Sequence, residues 1–163
     1  MRKYILFIVL IGFFIFLQST MFYERVSIRG VQPDFVLIVV CVAAYVLGPL
    51  HGQIVGFCAG LLIDILAGGL LGISAFAYTV IGYGVGSVGS RLYGHSIFTS
   101  ALMLFFATLV KGLLLSFAGA VFLAPGYFGF FTQGRVFLEA IVNCLLAPPL
   151  FFVITRLDER VAG

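Results

Sequence analysis

The sequence predicts an all-α polytopic membrane protein, a compact bundle of six transmembrane helices forming one integral membrane domain over residues 1–163. Three observations carry that expectation. Of the residues, 63% are hydrophobic and only 9% charged. Six apolar segments follow one another along the chain, and the loops between them are short. A soluble domain has roughly 45–50% apolar and about 25% charged residues, so there is too little polar surface here to coat a globule. A span takes about 20 mostly apolar residues to cross a core roughly 30 Å thick. Six of them use about 120 residues, which leaves no room for a soluble catalytic module.

The first segment, about 4–22, follows Arg2 and Lys3. Its apolar run is long, and Leu17-Gln18-Ser19-Thr20 lacks the small-x-small cleavage signal of a secretory leader, so it reads as a retained helix. The second segment, Phe35–Leu47, opens on Pro33-Asp34. Proline is tolerated in a first helical turn because its missing N–H would be unbonded there anyway. Asp34 adds a negative charge at the positive end of the helix dipole. A helix-start signal accounts for both residues, and any functional role for Asp34 is additional.

A tight turn, Leu47-Gly48-Pro49-Leu50-His51-Gly52, leads into the third segment, 53–66, and Gly68-Gly69 parts it from the fourth, 70–88. Segments near 14 residues also fit a re-entrant hairpin, which would give five spans. The fifth and sixth segments are 97–122 and 136–155. Between them Tyr127, Phe128, Phe130 and Phe131 read as an aromatic belt held in membrane lipid at the outer interface, or as a docking surface for a partner.

Basic residues near span ends set orientation. Arg2, Lys3, Arg91, Arg156 and Arg160 fall on one side; Arg25, Arg29 and Arg135 fall on the other. Five against three places both termini in the cytoplasm, and the protein in the inner membrane. The nine basic residues make no stripe or patch, so nucleic acid is not an expected partner. Cys41, Cys58 and Cys144 lie in apolar runs without ligand spacing and read as small core residues.

Gly48, Gly52, Gly56, Gly60, Gly68 and Gly72 are spaced by four, and the one gap in the series is Asp64. Residues four apart share a helix face, and small residues there let a neighbouring backbone come close, which drives packing in lipid. The series spans more than one helix, since Gly48 and Gly72 flank turns, and within the third segment Gly56, Gly60 and Asp64 share a face. Gly82, Gly86 and Ser90 form a second such set, and Thr108, Gly112, Ser116 and Ala120 a third. On this basis Gly60→Leu should disrupt packing more than Gly119→Leu, near a helix end.

An acid near mid-span costs about 2.5–3.5 kcal/mol on insertion scales, so Asp64 should face protein or water. A polar contact that fixes register and a functional role weigh equally for it. Lys111, near the middle of the fifth segment, is the other costly group. Counting about 1.5 Å per residue puts it at the depth of Asp64, and the two are expected to pair directly or through one intermediate. Failing that, Lys111 snorkels or binds another acid such as Glu139, which lies one turn from Asn143.

No Ser, Cys or acid stands at nucleophile–base spacing, there is no metal-ligand cluster or cofactor motif, and an enzyme is not expected. Gly60-Leu61-Leu62-Ile63-Asp64 lacks the glycine before the acid that intramembrane aspartyl proteases show, and Gly82-Tyr83-Gly84-Val85-Gly86 is not a phosphate loop.

Pro33-Asp34, Gly52, Gly56, Gly60 to Asp64, Gly68, Gly72 and Gly82-Tyr83 resemble the bacterial rod shape-determining MreD family, most specifically over 33–86. The resemblance implies a non-catalytic membrane scaffold for lateral cell-wall elongation. It binds MreC, and through it MreB and the peptidoglycan glycosyltransferase and transpeptidase. Taken with the reading of the residues above, Pro33, Asp34, Gly56, Gly60, Asp64, Gly68, Gly72 and Lys111 are candidates for helix packing or a partner interface. The family also looks distantly like the substrate-binding subunits of energy-coupling-factor transporters, and a small-molecule-binding transporter subunit is the alternative. Those subunits often dock through an Ala-x-x-x-Ala pair on the first helix, whereas residues 4–22 contain no alanine.

Overall fold

The structure, a computed structural model, describes residues 2–18, 32–68, 70–89, 97–122 and 134–162. They form six helices and no strand: α1 (Arg2–Gln18), α2 (Phe35–Leu47), α3 (Pro49–Ala67), α4 (Ile73–Gly89), α5 (Ile97–Val121) and α6 (Arg135–Ala162). The runs Pro49–Ala67, Phe98–Val121 and Arg135–Asp158 are long and apolar enough to cross a membrane, while α1, α2 and α4 are apolar but shorter. The aromatic loop at 124–131 lies outside the described residues, as do Ser90 and His95. α6 extends beyond both ends of the expected segment and runs through Pro148 and Pro149. A proline inside a helix gives up an amide donor, so two carbonyls one turn earlier lose their usual partners.

α2 is the centre of the bundle. Val36 to Ala44 are at most 1% exposed, and the helix touches each of the other five. A helix that is apolar on every side is one enclosed on every side. Its 13 residues rise only about 20 Å, less than a bilayer core of roughly 30 Å. Its termini are satisfied within the chain: Asp34 accepts from Leu37 N–H at its start, and Gly48 N–H donates to Ala44 at its end.

α3 and α4 pack as an antiparallel pair whose backbones touch. A Cβ on Gly60 would lie 2.5 Å from the Ser74 carbonyl oxygen and 2.6 Å from Ala75 Cα. One on Gly56 would strike the Tyr78 carbonyl, and those on Gly52 and Gly82 would each strike the other's carbonyl. One on Gly86 would lie 2.5 Å from Pro49 Cα. Each turn along α3 thus meets one turn back along α4, and glycine is required because no side chain fits between.

The expected ridge is therefore two devices. Gly52, Gly56 and Gly60 do pack. Gly48, Gly68 and Gly72 do not: a Cβ on any of them meets nothing within 4 Å, and their φ values are +85°, +63° and +100°. They are turn residues, chosen for backbone conformations that L side chains rarely adopt; Gly68 is the left-handed C-cap of α3. The turn before α3 is correspondingly tighter than expected, with Gly48 alone between two helices and His51 inside the first turn of α3.

The outer helices each bury one stripe. α1 turns Phe7, Ile11 and Ile15 inward, at the four-residue spacing of one face, and Phe14 stacks on Phe35 with centroids 5.5 Å apart. At its start Tyr4 bonds His51 on α3 (3.0 Å). α5 meets α6 at Gly112, where an added Cβ would lie 2.6 Å from the Val136 side chain. Gly119 is itself buried, so it is not the neutral site that its position near a helix end implied. Of the cysteines only Cys41 is a core residue; Cys58 is exposed and Cys144 half-buried. An outward thiol is tolerated because lipid accepts a small weakly polar group.

Candidate functional site

The core of the bundle contains a polar cluster contributed by four helices. Asp34 precedes α2, Tyr78 lies on α4, Thr108 and Lys111 on α5, and Glu139 and Asn143 on α6. All six are buried, Thr108 and Asn143 completely. Lys111 Nζ donates to Asp34 Oδ2 at 2.7 Å and also to Glu139 Oε1. Tyr78 OH donates to the same Asp34 oxygen at 2.5 Å. Asp34 Oδ1 accepts from Leu37 N–H at 2.9 Å.

Asn143 fixes the backbone of the same residue, its Oδ1 accepting from Asp34 N–H at 2.9 Å. Its Nδ2 donates to Thr108 Oγ1 at 3.1 Å, and that hydroxyl donates to Leu104 O at 2.9 Å. Local sequence explains the convergence. Glu139 and Asn143 are one turn apart on α6, Thr108 and Lys111 one turn apart on α5, and such pairs project from one face. Polar groups this deep are costly unless bonded. Here Asn143, Tyr78 and Lys111 tie Asp34 at the start of the central helix to three neighbours, while Lys111–Glu139 and Asn143–Thr108 tie α5 to α6.

Asp64 sits elsewhere. It is three residues from the end of α3, beside the turn rather than at mid-span. Its Oδ2 accepts from Gly72 N–H at 2.8 Å and Ala75 N–H at 3.2 Å, and both oxygens accept from Ser74 N–H at 3.1–3.2 Å. The first amides of a helix have no intrahelical partner, and a carboxylate there also meets the positive end of the dipole. Asp64 therefore caps α4 from α3. The expected Asp64–Lys111 pair does not form, because the amides take both oxygens of Asp64 while Asp34 and Glu139 hold Lys111. Asp64→Ala should cost about 1–3 kcal/mol by leaving these amides unpaired. Asp64→Asn, which retains an acceptor oxygen, should cost less. Thermal unfolding in detergent measures the difference, and equal losses would show that charge, not hydrogen bonding, is what the site needs.

Of the expected site residues, the structure brings Asp34 and Lys111 into direct contact, with buried Pro33 next to Asp34 in the chain. Gly56, Gly60 and Asp64 lie on the α3–α4 seam, and Gly68 and Gly72 in its turn. Sequence reasoning missed Tyr78, whose only signal is its place one turn before Gly82. Among the described residues no three His, Cys, Asp or Glu side chains are grouped to hold a metal ion.

An apolar outward-facing groove of about 550 Å³ runs between α4 and α5, walled by residues such as Val80, Val85, Phe98, Leu102 and Phe106. Thr99 is the one polar side chain in its lining. None of the six polar-cluster residues lines this groove.

No curated protein and no solved structure matches the chain. The model of the family described as rod shape-determining protein MreD matches residues 1–157. A match over nearly the whole length, on a helical apolar chain of this kind, shows that the chain belongs to the rod shape-determining protein MreD family.

Proposed function

We propose that this chain is a non-catalytic inner-membrane scaffold of the cell-wall elongation complex. In this reading it is one integral domain of six spans with both termini in the cytoplasm. It binds MreC first, and through MreC it supports MreB and the peptidoglycan glycosyltransferase and transpeptidase. The observation that carries the proposal is the family match over residues 1–157, since the family's role is in rod shape. The internal chemistry agrees with it: the buried ionisable and amide groups of the cluster are spent on one another. The α4–α5 groove offers a polar small molecule one hydroxyl, which is poor footing for a vitamin-binding subunit.

Pull-down of the full chain in mild detergent should recover MreC, and depletion in a rod-shaped host should give rounded cells. Normal rods, recovery of an ATP-driven coupling module or a nanomolar small-molecule ligand would overturn the scaffold. Reporter fusions at Gly163 and within 124–134 test the topology separately and should report opposite sides of the membrane.

A further inference from the structure

We propose that the polar cluster is a proton-binding site in which Glu139 is a neutral carboxylic acid and Asp34 and Lys111 are the single ionised pair. The starting point is a count. Asp34, Glu139 and Lys111 meet through one ammonium and are 8%, 3% and 6% exposed. With all three ionised the cluster would hold one uncompensated negative charge in the middle of an apolar bundle. Buried groups escape such a cost by neutralising, and two carboxylates sharing one site do not both ionise.

The geometry decides which carboxylate takes the proton. Asp34 accepts three hydrogen bonds, from Leu37 N–H, Tyr78 O–H and Lys111 Nζ, and it lies at the N-terminus of α2. Donors and a positive dipole end both favour a carboxylate. Among the described residues, Glu139 accepts from Lys111 alone.

The described groups around the site give no second cation. α2 brings Asp34 and the Cys41 thiol, α4 the Tyr78 hydroxyl, and α5 Lys111. Among the described residues, the charges acting on Glu139 are those of Lys111 and Asp34. On α3, Asp64 is engaged by the α4 amides, and Tyr4 of α1 bonds His51. Loading is one step: as the chain folds, a Glu139 carboxylate oxygen takes a proton from a hydronium ion of the bulk solvent, one O–H bond forming and one breaking, and a neutral water is left behind.

The test is infrared spectroscopy of the full chain in lipid nanodiscs with isotope-labelled glutamate. The chain has three glutamates, Glu24, Glu139 and Glu159. A Glu24→Gln/Glu159→Gln variant therefore leaves Glu139 as the only labelled one. At neutral pH the label should appear in the protonated-acid carbonyl band and not in the carboxylate band. Adding Glu139→Gln, which resembles the neutral acid in shape, should remove that band and leave the melting temperature close to the parent's. A label found in the carboxylate band overturns the proposal. If Glu139→Gln fails to fold, the spectrum of the two-site variant alone decides. The outcome is independent of whether MreC is the partner.

Discussion

Lys111→Met should lower the melting temperature more than any other single side-chain change in the polar cluster. Methionine matches the length of the lysine stem but supplies no donor, so the Asp34 carboxylate loses its only described countercharge. Removing one partner of a buried pair costs about 3–5 kcal/mol, because the remaining charge stays buried and uncompensated. Set against a typical folding stability of about 5–15 kcal/mol, that is a large fraction.

The loss also spreads. Asp34 is at once the N-cap of α2, the acceptor for Tyr78 on α4 and, through its own N–H, the donor to Asn143 on α6. The pair is tested by adding Asp34→Asn to Lys111→Met, which removes the stranded charge. Thermal unfolding in detergent should show the double variant more stable than Lys111→Met alone, a coupling of the sort contacting residues display. If the two changes simply add, the ion pair is not what joins these helices. Lys111→Met should also be far more damaging than Glu139→Gln, since only the first strands a charge.

Asp34 shows what was legible in the chain and what was not. Its position after Pro33 announces a helix start, and it does cap α2. Its pairing with Lys111 depends on how the helices are arranged, 77 positions apart in sequence, and no local spacing encodes that. The depth count that matched Asp64 to Lys111 failed because α3 begins at Pro49 and ends at Ala67. This puts Asp64 beside the turn, within reach of free amides.

The apolar segments were readable because hydrophobic length is a property of each segment by itself. The central place of α2 had a subtler sign: Phe35–Leu47 carries no polar residue apart from Cys41 and the Tyr45 hydroxyl, as a fully enclosed helix must. The four-residue spacing of glycines was visible too. Spacing alone does not separate a glycine chosen for its missing side chain from one chosen for positive φ. Gly60 and Gly72 look alike in sequence and do different work in the fold.

That difference makes the second large effect predictable. Gly60→Leu should separate α3 from α4, and even Gly60→Ala should be strongly destabilising. The atoms in the way are Ser74 O and the Ala75 backbone, which cannot rotate aside as a side chain does. Overpacking usually costs about 1–3 kcal/mol when neighbours can adjust; here adjustment means moving a whole helix. Moving it also pulls Asp64 off the α4 amides, so one substitution breaks the contact and the cap together.

Gly112→Ala should cost less, because its obstacle is the Val136 side chain rather than backbone. Gly84 is the control on α4, the helix that Gly60 meets: its added Cβ meets nothing within 4 Å, and it borders the outward-facing α4–α5 groove. Gly84→Leu should fold and melt near the parent. The expected order of destabilisation is Gly60→Ala, then Gly112→Ala, then Gly84→Ala, read from melting temperatures in one detergent. Equal losses for Gly60→Leu and Gly84→Leu would mean that α3 and α4 are not held by backbone contact, since one glycine faces a carbonyl and the other open space.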